Sequence, residues 1–142
     1  MDIGGFRDMH RHRRCVQVQQ GFTTAHGYDL PPDIVAAGLQ PRYGALMQRV
    51  SDAIAKLSSV PEPEVSPNAQ YLIPLAFRKR TLFKMDFAEA LYISELRTTP
   101  AGHWAYREVA YQMYELVAKR YPALGKLFRV HDVRQPVDLL QR

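Results

Sequence analysis

The chain has little of what would staple it, span a membrane or repeat. One cysteine, Cys15, stands among 142 residues, which excludes an intrachain disulfide framework. No run reaches the length of apolar sequence that a bilayer demands, and the N-terminus lacks the charged, apolar, small-residue layout of a secretory signal. No internal repeat or low-complexity tract is visible. The expectation is a soluble, cytoplasmic protein with no membrane partner. With 46% hydrophobic residues the length suits a single domain over residues 1–142 with a modest core.

What is present is positive charge. Nineteen Lys and Arg against fourteen Asp and Glu give a net charge of +5, which favours phosphate-bearing partners without naming one. The densest part is Asp8-Met9-His10-Arg11-His12-Arg13-Arg14, ahead of the extended stretch Val16 to Gln19. Charges this close repel one another and are best satisfied by solvent or a bound anion. His10, His12 and Cys15 have no carboxylate or second cysteine at ligand spacing, and the neighbouring arginines repel a dication, so no metal is expected.

The chain alternates helical patterns with breakers. Ile3 to Met9 reads as a short helical turn; Gly21 to Thr24 and His26 to Asp29 read as turns; Pro31-Pro32 opens a helical region. From Pro41 to Leu57, Tyr43, Leu46, Met47, Val50, Ile54 and Leu57 recur at helical spacing. Prolines at 61, 63 and 67 make residues 58–68 a surface loop. Leu75 to Met85 alternates as a strand, with Arg78, Arg80 and Lys84 on its polar face. Asp86 followed by Glu89 has the form of a capping box, opening a helix that ends at Arg97 before Thr98-Thr99-Pro100. The longest helix spans Gly102 to Tyr121, with Tyr106, Val109, Ala110, Met113, Leu116 and Val117 as its apolar stripe and Pro122 as its stop. The fold class is α/β (α+β), antiparallel strands with packed helices.

The ordered set Arg11-His12-Arg13, Ala69 to Leu75, the strand to Arg80, and Glu95-Leu96-Arg97 leading into Trp104 and the final helix resembles the flavin-dependent thymidylate synthases. The resemblance covers the later part of that family's domain and implies a fold like that of the thymidylate synthase-complementing proteins. It casts Arg11, His12 and Arg13 as FAD contacts, and Arg11, Arg80 and Arg97 as contacts to a dUMP-like nucleotide. It also implies a homo-oligomer, dimer or tetramer, because the family shares each site between subunits. Several family positions are changed. The serine, glutamate and arginine of the signature correspond to Gly21, Gln19 and Thr23, its asparagine to Val18, an upstream arginine to Gln70, and flavin-holding asparagines to Asp86 and Tyr92. A phosphate dianion held by fewer arginines loses a few kcal/mol of charge-assisted hydrogen bonding. The expectation is therefore a divergent thymidylate synthase-like flavoprotein with a remnant FAD/dUMP site that does not complete dUMP methylation alone. The alternatives are a nucleic-acid-binding module using the basic patch and a structural partner that completes another protein's site.

Overall fold

The computed structural model describes residues 1–58, 61 and 65–136. The expected surface loop at 58–68 falls partly outside these residues. The elements run α1 (Ile3–Met9), β1 (Val16–Gln19), α2 (Pro32–Ala36), α3 (Gln40–Leu57), a 3-10 turn at Ala69–Leu72, β2 (Thr81–Lys84), α4 (Phe87–Arg97), α5 (Trp104–Arg120) and α6 (Pro122–Gly125). β1 and β2 form a two-stranded antiparallel sheet, so the fold mixes helices with antiparallel strands as expected. No helix among the described residues is long and apolar enough to cross a membrane.

Two compact units emerge. The first comprises Met1–Gly4 and Gln19–Thr81. Its core gathers Ile3, Met47, Ile54, Val65, Ala69, Ile73 and Phe77, with Tyr43 and Val50 packed against it. Tyr43, Met47, Val50 and Ile54 are the apolar line of α3, three and four residues apart, as a helix facing a core requires. Leu46 and Leu57, expected in that stripe, are exposed at its flank and in its last turn. α2 ends in a Schellman turn: Leu39 N–H donates to Ile34 O and Gly38 N–H to Val35 O, with Gly38 at φ +68°.

The expected strand over Leu75–Met85 is confined to Thr81–Lys84. Pro74 supplies the reason, since its carbonyl accepts from Phe77 N–H at 3.1 Å and turns the chain there. Only isolated antiparallel bridges, Asp2 with Arg78 and Tyr28 with Phe77, precede the strand. Burial still alternates from Phe77 onward, so Lys79 falls on the inner face. Its ammonium sits 3.9 Å from the centre of the Phe22 ring, a cation–π contact that recovers part of the desolvation cost. Burial lowers the Lys79 pKa.

The second unit comprises Gly5–Val18 and the chain from Leu82 onward. α4 packs on α5, and α5 on α6. Among the buried positions of the two helices, Ala90 and Ser94 of α4 and Ala105 and Ala110 of α5 are small, which lets helices approach closely. Asp86 caps α4 by accepting from Glu89 N–H at 2.8 Å, and His103 Nδ1 caps α5 by accepting from Ala105 N–H at 3.2 Å. Pro122 ends α5 and also opens α6 as its first residue. In α5, Leu116 is exposed although the periodicity placed it in the stripe, while Arg107 is buried and donates from Nε to Thr98 O at 3.2 Å. Beyond α6, Arg129 N–H donates to Glu95 Oε1 at 2.8 Å and His131 N–H to Thr98 Oγ1 at 3.0 Å, latching that segment to the end of α4.

Candidate functional site

In the second unit the basic triplet splits by direction. Arg11, Arg13 and Arg14 are exposed, whereas His12 is buried. Arg97 donates from Nε to His12 Nε2 at 2.9 Å. A guanidinium has no acceptor, so Nε2 is the unprotonated nitrogen and Nδ1–H faces Glu89 Oε1 at 3.3 Å. Burial first, then the Arg97 charge, lowers the His12 pKa; the Glu89 hydrogen bond and charge oppose them. Tyr92 meets the imidazole edge-on, with ring centres 5.8 Å apart.

Arg97 is occupied on every side that the structure describes. One terminal nitrogen donates to Asp8 O at 2.8 Å, the other lies 4.0 Å from the Asp8 carboxylate, and the guanidinium faces the Tyr106 ring at 5.4 Å. The end of α4 is thus tied to the segment that carries the triplet, and Cys15 Sγ donates back to His12 O at 2.9 Å. Arg11 has a loose contact to Asp8 at 3.6 Å and Arg14 pairs with Asp86 at 3.1 Å. Arg13 makes no side-chain pair among the described residues. Exposed guanidinium groups on a braced turn suit a phosphate or another anion.

Glu89 is the residue that sequence reasoning misplaced. A capping box would turn its carboxylate back onto Asp86 N–H, but the side chain instead enters the interior to meet His12. A signal was available: Glu89, Tyr92 and Arg97 stand three and eight apart, on one face of a helix.

Arg80 lies in the first unit. It lines a cavity of about 600 Å³ with the loop 20–23, His26, Val65 and Gln70. Gly21, standing where the family signature has serine, leaves space there, since an added Cβ meets nothing within 4 Å. Thr23, standing where the signature has arginine, is buried, and its Oγ1 accepts from Ala25 N–H at 3.1 Å. Gln70 Nε2 donates to Val65 O at 2.9 Å. Among the described residues no cluster of His, Cys, Asp and Glu could hold a metal.

The described residues combine helices with a short two-stranded antiparallel sheet. The chain is similar in structure to flavin-dependent thymidylate synthase ThyX from Helicobacter pylori, solved in complex with FAD and dUMP, with a TM-score of 0.63 over 89% of this chain and 68% of that one at 11% identity. A family model described as thymidylate synthase complementing protein matches residues 1–123, and the chain belongs to that family. It is 30% identical over 131 residues to a UPF0159 protein of Chlamydia muridarum, and 34% identical over 132 residues to one of Thermoplasma acidophilum. Each match covers 92% of this chain but 24% and 26% of the relative, so the chain spans about a quarter of the length of these curated relatives.

Proposed function

We propose that this chain is a divergent thymidylate synthase-like domain that retains weak FAD and dUMP binding but does not complete dUMP methylation by itself. The observation that carries the reading is the basic turn: Arg11 and Arg13 are exposed on a segment braced by the buried His12–Arg97 contact. These donors fit the phosphates of a dinucleotide, and the reading assigns flavin to Arg11 and Arg13, with His12 holding the turn. Flavin, when bound, supplies the reducing chemistry; the chain supplies binding and orientation. For the uracil nucleotide the reading assigns Arg11, with Arg97 as the residue that positions Asp8 and His12. The missing groups at Gln19, Gly21 and Thr23 argue against turnover, because a uracil ring that is not polarised and a phosphate short of cations lose transition-state stabilisation. The reading also takes the 142 residues as one domain of this type, cytoplasmic and self-associating.

Titration with FAD, followed by flavin fluorescence quenching, should show binding that weakens in Arg13→Ala. No dTMP should form from dUMP with methylenetetrahydrofolate, FAD and NADPH. Absence of FAD binding at high micromolar concentration would remove the cofactor part of the reading, and turnover above a no-protein control would remove the inactive part.

A further inference from the structure

The first unit's cavity has the size of a small-molecule site, and its polar groups suit something other than a phosphate cradle. At about 600 Å³ it falls within the roughly 300–1,000 Å³ of ligand pockets. Among its described lining residues Arg80 is the one guanidinium, and no carboxylate accompanies it. Arg80 makes no side-chain pair among the described residues. A single planar fork matches one carboxylate in charge and in bidentate geometry, whereas a phosphate dianion calls for further cations.

The two amides are each half used, in opposite senses. Gln70 donates one N–H of Nε2 to Val65 O at 2.9 Å, and its Oε1 makes no hydrogen bond among the described residues. Gln20 accepts from His26 Nε2 with Oε1 at 3.2 Å and keeps its Nε2 donor. Gln70 Oε1 and Gln20 Nε2 thus supply an acceptor and a donor to a ligand that presents N–H and C=O, the pair that a lactam carries. Phe22 adds an apolar wall.

We propose that this cavity binds a small planar lactam bearing a single carboxylate. The carboxylate pairs with Arg80, the lactam N–H donates to Gln70 Oε1, and the lactam C=O accepts from Gln20 Nε2. The inference rests on the reading that this fold keeps a small-ligand site, and it differs from that reading in the charge and the class of the ligand.

Calorimetric titration of the full chain with three probes tests it: 6-hydroxynicotinate has both groups, 2-pyridone only the lactam, and benzoate only the carboxylate. Hydroxynicotinate should bind about tenfold or more tightly than either, the size of one lost charge-assisted or amide hydrogen-bond set. Arg80→Ala should erase its margin over pyridone, and Gln20→Leu its margin over benzoate. Both side chains are exposed, so circular dichroism of each variant should match the parent. Equal affinities for the three probes, no binding of any, or dUMP binding tighter than hydroxynicotinate with loss in Arg80→Ala would each overturn the proposal. Failure of FAD to bind, with the hydroxynicotinate result intact, would count against the flavin reading alone.

Discussion

His12 sits between a cation and a carboxylate, and the cation decides its protonation state. Its Nε2 accepts from Arg97, so adding a proton there would break that bond and set two positive charges 2.9 Å apart in a buried place. The His12 pKa is accordingly lowered from 6.5. In the unfolded chain the imidazole titrates near its ordinary value, so below pH 6.5 the unfolded state binds more protons than the folded one. This contribution to stability is therefore fully present above pH 6.5 and is lost as pH falls from there toward the folded pKa. Thermal denaturation followed between pH 8 and pH 5 should show the midpoint falling over the acidic part of that range. His12→Ala should flatten that fall and cost about 1–3 kcal/mol at neutral pH, because Glu89 loses its buried partner. An unchanged pH profile in the variant would show that His12 is not the titrating group.

At the scale of elements, the entry to α5 is a tight joint. A Cβ on Gly102 would sit 2.7 Å from Tyr106 Cε2, 2.8 Å from its hydroxyl and 3.1 Å from Arg107 Cγ. Tyr106 is buried and faces Arg97, so its ring has little room to yield. Gly102→Ala should cost about 1–3 kcal/mol as overpacking, measured by urea denaturation, and Tyr106→Ala in the same chain should relieve most of the clash. Should the single variant unfold like the parent, the ring must have a free path that the packing does not suggest. The helices themselves were legible in the sequence, because periodicity and caps act locally: Asp86 caps α4, and the Tyr43–Ile54 line faces the core. The strand after Pro74 was overextended, since alternation persists through a segment whose hydrogen bonds turn away from a ladder. Glu89 followed a tertiary partner 77 residues away rather than its local capping rule. Of the expected site, the cations were legible as residue types. The direction each one takes was not, and neither was a cavity assembled from stretches near residues 20, 26, 65, 70 and 80.

For the whole molecule, the sheet has only two strands, so each leaves an unpaired edge among the described residues. A two-stranded ribbon is marginal by itself. In the second unit this ribbon also presents Val16, Val18 and Leu82 at 62%, 60% and 64% exposure, an apolar face interrupted by Lys84. Water-exposed apolar side chains beside open strand edges favour strand addition between copies, whereas the net charge of +5 opposes close approach only through long-range repulsion that salt screens. The amphipathic stripe of α3 is spent on the core of its own unit. The ribbon is thus the stronger ground for expecting an oligomer. Light scattering coupled to gel filtration should report a dimer or tetramer whose population rises with protein concentration and with salt. Val18→Lys should shift it toward monomer, since it places a charge on that face without touching either unit's core. A monomer at all concentrations in the parent chain would show that the exposed ribbon is tolerated in solution as it stands.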